Sequence, residues 1–268
     1  VGGAARDFCM GLTPKDFDIT TNALPDEIEK IFKKTLSVGK QFGVMVVCMG
    51  RDQFEIATFR KDIKYTDGRH PDEVIFTDAE EDVKRRDFTI NGLLWNPKNN
   101  EVIDLVKGKQ DLKNHLIRSI GDPTERFNED KLRVFRAIRF AANLGFEIET
   151  HTWKALSDKN LDLTKISKER IRTEFEKIIS RPHSLRGLQL LHRAGLLNFV
   201  LWEGFFEKSK PLPACLGHLL PDPIQFTVPN ALTRIHLSSP HFLHLKEKPP
   251  STEFCGSIQK KLKQLGHS

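Results

Sequence analysis

Residues 16–19 read Asp16-Phe17-Asp18-Ile19, an alternation of charged and apolar side chains that is typical of a β-strand. On such a strand Asp16 and Asp18 share one face, while Phe17 and Ile19 face the core. Two adjacent carboxylates repel each other unless cations neutralise them, and catalytic two-metal sites hold their ions about 3.5–4 Å apart. The segment therefore predicts a strand with a metal site, although two solvated acids at a strand end would give the same pattern.

A glycine pair begins the upstream segment Gly2-Gly3-Ala4-Ala5-Arg6-Asp7. Because glycine has no side chain, a phosphate can approach the backbone N–H groups of a helix that begins here. A plain turn is the alternative. The run Val1-Gly2-Gly3 is also typical of a strand end that enters a turn, so we expect a first strand to be missing and the numbering to begin inside a longer protein.

The chain divides into three regions by pattern. Residues 1–120 mix short strand-forming runs with helical stretches, which indicates an α+β fold. Within them, residues 43–49 and 54–59 are rich in strand formers and flank a polar connection, so we expect an antiparallel hairpin. Residues 121–202 change to helical spacing of apolar side chains, which predicts a helical domain. Residues 203–268 are rich in proline and show no sustained period, so we expect an irregular or disordered tail.

Composition narrows the class of protein. The formal charge of +6 favours a polyanionic partner without establishing one. The four cysteines are scattered with no C-x-x-C pair, which argues against a zinc knuckle or a disulfide framework. Because no run of about 18 apolar residues occurs, we expect no membrane partner.

Several motifs occur in a fixed order and together carry a resemblance. They are Gly2-Gly3-x-x-Arg6-Asp7 with Asp16-x-Asp18, then residues 54–60, residues 65–71, residues 85–91 and residues 128–133. This order is similar to that of the polymerase β-like nucleotidyltransferases, in particular the class II tRNA nucleotidyltransferases (CCA-adding enzymes) and bacterial poly(A) polymerases. The resemblance covers about residues 1–200. It implies a nucleotidyltransferase head with a mixed or antiparallel sheet at residues 1–120, followed by an all-α neck that recognises the nucleotide at residues 121–202.

The resemblance also implies roles for individual residues. Asp16 and Asp18 would bind the metal, Mg²⁺, and Glu55 on a neighbouring strand would complete a catalytic set of three carboxylates. The nucleotide-binding residues implied are Gly2, Gly3, Arg6, Arg86, Asp87, Asn91, Glu129, Asp130, Arg133 and Arg136. Asp67, Gly68 and Arg69 would belong to a flexible loop used in the switch from cytidine to adenosine addition.

Helical spacing supports some of these roles and leaves alternatives open. Asp87 and Asn91 are four apart, so on a helix they share a face that is able to bind a sugar, or to be simply solvated. Asp130 and Arg133 are three apart, so on one helix they offer the acceptors and donors that read a base edge, or form a surface ion pair. For Arg139, three residues beyond Arg136, a solvated face remains the alternative to a phosphate contact.

The resemblance implies a template-independent RNA nucleotidyltransferase that adds CCA, from CTP and ATP, to the 3′ acceptor end of tRNA by two-metal transfer. A poly(A) polymerase of the same class and a catalytically silent RNA-binding fragment are the alternatives. We expect a cytoplasmic protein, with an organelle as the alternative location. The sequence leaves the oligomeric state unknown.

Overall fold

The computed structural model describes residues 1–14, 16–63, 73–180 and 183–200. The expected loop with Asp67, Gly68 and Arg69 and the expected irregular tail at 203–268 lie outside these residues. The described part mixes strands and helices, so the predicted α+β fold class is confirmed.

A four-stranded mixed sheet forms the first layer, in the order β1-β4-β3-β2. Its strands are β1 (Ile19–Thr21), β2 (Thr35–Leu36), β3 (Val44–Met49) and β4 (Asp52–Thr58). Strand β1 is parallel to β4, and the other pairs are antiparallel. The predicted hairpin is confirmed as β3 and β4, but its turn is shorter than the sequence suggested, because β4 already begins at Asp52.

The expectation that Asp16 and Asp18 lie on a strand is wrong, because β1 begins only at Ile19. A local hydrogen bond explains the late start: the backbone N–H of Phe17 donates to Oδ1 of Asp16 at 2.9 Å. Such side-chain bonds to nearby backbone compete with strand pairing, and aspartate is depleted in strands. Both carboxylates are therefore exposed in an irregular segment immediately before β1.

Three two-stranded sheets complete the strand content of the described residues. Strands β5 (Arg60–Ile63) and β6 (Glu73–Phe76) are antiparallel, as are β7 (Leu93–Asn96) and β8 (Glu101–Asp104). Strand β9 (Leu116–Ile117) is parallel to β10 (Glu147–Ile148). Among the described residues beyond 120, β10 is the single strand, and it pairs back across the predicted boundary; the other regular elements are helices. The domain division at residue 120 stays a prediction.

The helices lie against these sheets and dominate the second half. In the first half they are α1 (Gly3–Cys9), α2 (Pro25–Ile31), α3 (Ala79–Lys84) and α4 (Gly108–Lys113), with 3₁₀ turns at Lys40–Phe42 and Thr89–Asn91. In the second half they are α5 (Pro123–Glu129), α6 (Leu132–Leu144), α7 (Thr150–Leu156), α8 (Lys168–Ile179), α9 (Ser184–Arg193) and α10 (Leu197–Val200). Among the described residues, no helix has the length and apolar character needed to cross a bilayer.

The largest core joins both halves of the described chain. Phe88 precedes the 3₁₀ turn at Thr89–Asn91, and Ile90 lies within it. Both belong to the same buried cluster as Phe135 of α6 and Phe175 of α8. These side chains have almost no exposed surface. A smaller cluster, including Ile28, Met45 and Ile56, lies between α2 and the four-stranded sheet. The turn at Thr89–Asn91 is therefore held by the main core rather than by the sheet.

Helix α4 approaches this turn so closely that only glycine fits at its first position. A Cβ built on Gly108 would lie 2.2 Å from the carbonyl oxygen of Thr89. On the same helix, the Asp111 carboxylate accepts a hydrogen bond of 2.7 Å from the Thr89 hydroxyl. These two contacts fix the backbone of the turn at residues 89–91.

We expect Gly108→Ala to lower the free energy of unfolding by about 1–3 kcal/mol, because the added methyl group must displace backbone at Thr89. Urea denaturation measures the change. The matched control is Lys113→Ala at the exposed end of the same helix, for which we expect a change within about 0.5 kcal/mol. Equal stability of the two variants would contradict this account of the packing.

Candidate functional site

A pocket of about 490 Å³ lies where α1, β5, the turn at Thr89–Asn91 and α6 converge. Its lining residues are Gly2, Gly3, Arg6, Asp18, Arg60, Asp62, Arg85, Arg86, Asp87, Asn91, Asp130, Arg133, Arg136 and Phe140. Arginines outnumber aspartates in this lining, so the pocket carries a net positive charge. Its volume lies in the range of small-molecule sites, and its charge suits an anion.

Helix α1 contributes the glycine pair and Arg6 to the pocket. Gly2 caps the helix with a positive φ of 62°, a conformation that side chains other than glycine rarely adopt. A Cβ at Gly2 would lie 3.5 Å from Nη1 of Arg86, so the missing side chain leaves room beside that guanidinium. Arg6 donates from Nη1 to Oδ1 of Asn91 at 2.8 Å and from Nη2 to Oδ1 of Asp7 at 2.7 Å.

The predicted partnership of Asp87 with Asn91 occurs, but not on one α-helix as expected. Asp87 precedes the 3₁₀ turn, and Phe88 between them is extended so that its ring enters the core. Nδ2 of Asn91 donates to Oδ1 of Asp87 at 3.1 Å, and the backbone N–H of Phe88 donates to the same oxygen at 2.7 Å. The need to bury Phe88 therefore breaks the helix that the four-residue spacing suggested.

Asp87 is 8% exposed and is bound by Arg136 from helix α6. Nε and Nη2 of Arg136 both donate to its Oδ2, at 2.9 and 2.5 Å. Burial alone would raise the pKa of Asp87, but the charge and hydrogen bonds of Arg136, with those from Asn91 and Phe88, hold this pKa at about 2. Asp87 is thus an anion at any physiological pH.

The expectation that Asp130 and Arg133 share one helix face is wrong. Helix α5 ends at Glu129 and α6 begins at Leu132, with Asp130 extended between them. Oδ1 of Asp130 accepts from the backbone N–H of Leu132 at 3.1 Å, which starts a new helix direction. Asp130 and Arg133 still line the same pocket, and Asp130 pairs with Arg170 of α8 at 3.2 Å. Leu132, at the start of α6, is buried.

Arg133 is buried and its guanidinium is held from several sides. Nη1 donates to Oε2 of Glu129 and to the carbonyl oxygen of Arg126, each at 2.9 Å, and Nη2 donates to the carbonyl oxygen of Arg85 at 3.1 Å. Glu129, which we expected to contact the nucleotide, lies outside the pocket lining and instead holds Arg133. Its predicted contact with the nucleotide stays a prediction.

Of the three predicted carboxylates, which are all exposed, Asp18 lines the pocket, and Asp16 and Glu55 are not among its lining residues. Ile19 of β1 is registered with Ile56 of β4, so Asp18 and Glu55 each stand one position before this pair. Among the described residues, no group of three or more His, Cys, Asp or Glu side chains is arranged to hold a metal ion. The joint three-carboxylate role of Glu55 stays a prediction.

The chemistry of Asp16 and Asp18 nevertheless fits a divalent cation. The pocket's other carboxylates pair with arginine: Asp62 with Arg60, Asp87 with Arg136, and Asp130 with Arg170. No ion pair of Asp16 or Asp18 occurs within the described ranges. Exposed carboxylate oxygens are the ligand type that Mg²⁺ prefers.

Four further residues that were not predicted from the sequence also line the pocket: Arg60, Asp62, Arg85 and Phe140. Arg60 and Arg85 lie in the motifs at residues 54–60 and 85–91, so the sequence could have indicated both. Phe140 follows Arg136 by four residues on α6, which places them on one face, and the Arg136 guanidinium lies 5.4 Å from the ring centroid. Asp62 had no sequence pattern to indicate it.

The alternative that Arg139 lies on a solvated face is wrong. Nε of Arg139 donates to Oε2 of Glu174 at 2.5 Å, and the Glu174 side chain is only 4% exposed. The Arg139 guanidinium also lies 4.0 Å from the Phe140 ring centroid. Arg139 therefore joins α6 to α8 and lies outside the pocket lining.

Family models match two parts of the chain. Residues 1–118 match "Poly A polymerase head domain", and residues 145–205 match "Probable RNA and SrmB- binding site of polymerase A". The chain is 45% identical to the CCA-adding enzyme of Lactobacillus helveticus over 191 residues, which are 71% of this chain and 48% of that enzyme. It is 40% identical to the CCA-adding enzyme of Staphylococcus epidermidis over 210 residues, 78% of this chain and 52% of that enzyme.

Solved structures give the same relationship. The Bacillus stearothermophilus CCA-adding enzyme in complex with CTP matches with a TM-score of 0.67 and 38% identity, over 73% of this chain and 47% of that one. A tRNA nucleotidyltransferase complexed with a primer tRNA and an incoming ATP analog matches with a TM-score of 0.61 and 27% identity, over 76% and 60%. The chain spans about half the length of the curated relatives it matches.

We expect Arg136→Gln to destabilise the protein at pH 7 by about 2–3 kcal/mol, less than a fully buried pair because the Arg136 side chain is 33% exposed. In the unchanged protein the pKa of Asp87 is depressed, so the pair's contribution is present above about pH 4 and is lost as the pH falls toward 2. In the variant, burial without Arg136 raises this pKa. The penalty should therefore shrink as the pH falls from 7 to 5.

Denaturant unfolding at several pH values measures this dependence. The control is Lys84→Gln, which removes the surface pairs with Glu80 and Glu81 and should change stability little at any of these pH values. A penalty for Arg136→Gln that stays constant from pH 7 to 5 would contradict the assignment of Asp87 as its buried partner.

Proposed function

Because the chain belongs to the family of CCA-adding enzymes and poly(A) polymerases, we propose that it adds CCA to the 3′ end of tRNA. The substrates of the proposed reaction are CTP, ATP and the tRNA 3′-hydroxyl, which attacks the α-phosphorus and releases pyrophosphate. Relatives named CCA-adding enzyme at 40–45% identity support the proposal. The bacterial origin of these relatives supports a cytoplasmic location.

The observation that carries the proposal is the basic pocket with an acidic edge. Arg6, Arg86 and Arg136 line it from three separate chain segments and give it the charge that a triphosphate requires. Asp18 lies at the same pocket. A site for nucleotidyl transfer needs both parts, because the phosphates must be bound while charge on the reacting oxygens is neutralised.

Nucleotidyltransferases of this superfamily are generally metal-dependent. For this chain we propose Mg²⁺ bound by Asp16 and Asp18, on the basis of their exposed carboxylates described above. When bound, Mg²⁺ supplies charge stabilisation for the attacking and leaving oxygens. The arginines of the pocket hold the triphosphate in place, and Asn91, bound to Arg6 and Asp87, orients a polar amide beside it.

We assign base selection to Asp130 and Arg133 at the junction of α5 and α6. Arginine offers donors and aspartate offers acceptors, the combination needed to read the Watson–Crick edges of cytosine and adenine. Hydrogen bonds from Arg133 to Glu129 and to two backbone carbonyl oxygens support the role, because a reading side chain must keep one orientation.

Poly(A) synthesis is the second candidate, favoured by the descriptions of the two matched family models. The two functions differ in their use of CTP. A tRNA that lacks its 3′ end, incubated with Mg²⁺ and CTP alone, gains two C residues under the CCA proposal and none under the poly(A) alternative. With ATP alone, synthesis of a long A tail would contradict the CCA proposal and support poly(A) synthesis.

We expect Asp16→Asn and Asp18→Asn each to lower the rate of this extension by at least about 100-fold, because each removes a proposed metal ligand. Both positions are exposed, so thermal unfolding should change little. The matched control is Asp52→Asn, an exposed aspartate at the start of β4, which should extend the tRNA at the unchanged rate. Full activity in either of the first two variants would refute the metal assignment.

A further inference from the structure

Asp82 is a fully buried carboxylate near the end of α3 that does not line the pocket. Its Oδ1 accepts from Nε and Nη2 of Arg85 at 2.9 and 2.7 Å. Its Oδ2 accepts from Nε and Nη2 of Arg86 at 3.2 and 2.9 Å. One aspartate thus binds two consecutive arginines, each through the same guanidinium edge.

This arrangement fixes the direction of Arg86. A guanidinium has a second edge, and a Cβ built on Gly2 would lie 3.5 Å from Nη1 of Arg86, so this nitrogen faces the glycine pair at the pocket. Within the described ranges, Nη1 of Arg86 has no hydrogen-bond acceptor. Asp82 therefore takes one edge of Arg86 and leaves the other directed at the pocket.

Arg85 is held differently, although it shares the same acid. Its Nε also donates to the carbonyl oxygen of Arg60 at 3.0 Å, and its Nη1 lies 3.7 Å from Oδ2 of Asp62. Both edges of Arg85 thus face protein acceptors, whereas Arg86 keeps one edge for a ligand. The two neighbouring arginines therefore differ in how much of each guanidinium is bound by protein.

A second arginine of the pocket is held in the way that Arg86 is. Asp87 binds Nε and Nη2 of Arg136, and within the described residues Nη1 of Arg136 has no hydrogen-bond acceptor. Burial raises the pKa of Asp82, but the charges of Arg85 and Arg86 outweigh it and hold this pKa below its usual range. The acid therefore stays charged and keeps its bonds to Arg86.

We infer that Asp82 is a positioning residue: it fixes the Nε and Nη2 edge of Arg86 so that Nη1 is directed at the phosphates of a bound nucleoside triphosphate. The identity of the ligand rests on the proposed function. Charge-assisted bonds in a fixed guanidinium geometry are strong because little side-chain freedom is lost when the phosphate binds.

The test measures the binding of CTP, and separately of inorganic triphosphate, to the full chain by calorimetry. In Asp82→Asn the isosteric amide cannot hold both arginines, so the dissociation constant should rise on the order of 10-fold for both probes. The control is Glu174→Gln, a buried acid paired with Arg139 outside the pocket, which should leave both constants within about 2-fold. A thermal melt of each variant reports the folded fraction.

A double-mutant cycle separates positioning from a general structural effect. If Asp82 acts through Arg86, then Asp82→Asn should weaken CTP binding no further in a chain that already carries Arg86→Gln. If Asp82→Asn fails to fold, Arg86→Lys replaces it: lysine keeps the charge but has no second edge for Asp82, so the affinity should fall about as far as in Arg86→Gln.

Unchanged CTP affinity in folded Asp82→Asn, additive losses in the cycle, or full affinity in Arg86→Lys would each overturn the inference and leave the proposed function standing. A loss for CTP but not for inorganic triphosphate would also overturn it, because the effect would then lie at the base. Wild-type CTP binding without tRNA extension would defeat the proposed function and leave the role of Asp82 intact.

Discussion

The buried ion pair of Asp87 with Arg136 is the interaction on which the site depends. It joins the segment that follows α3 to helix α6, across 49 residues of sequence. Asp87 also accepts a hydrogen bond from the Asn91 amide, and the oxygen of that amide accepts one from Arg6 of α1. A single carboxylate therefore links the glycine-capped helix, the 3₁₀ turn and the second half of the chain, so any rearrangement of these elements would leave a buried charge unpaired.

The carboxylates in and around the pocket are of two kinds. Asp82 and Asp87 are buried and bind arginine: Asp82 binds Arg85 and Arg86 through both oxygens, and Asp87 binds Arg136 through Oδ2. Asp16 and Asp18 are exposed and without such partners among the described residues. The first kind makes a basic surface with fixed directions, and the second offers oxygen ligands to a cation. Under the proposed function, binding the triphosphate and neutralising its reacting oxygens fall to different residues of one pocket.

Much of the fold was predictable because it rests on local patterns. The hairpin of β3 and β4 and helices α6 and α8 follow from periods of two and 3.6 residues. Spacing failed where a side chain bonded to nearby backbone, as Asp16 does before β1 and Asp130 does between α5 and α6. Sequence spacing also did not predict long-range ion pairs such as Arg139 with Glu174, because each residue alone has the pattern of a solvated charge.

The central claim is that one pocket, built from both halves of the chain, binds the nucleotide. Hydrogen exchange of the full chain with and without CTP tests it most directly, because protection reports which backbone segments the ligand orders. The account predicts protection confined to the segments around Gly2–Arg6, residues 85–91 and residues 130–136. Protection around Lys109–His115, in α4 and just after it, with none at these three segments would contradict it.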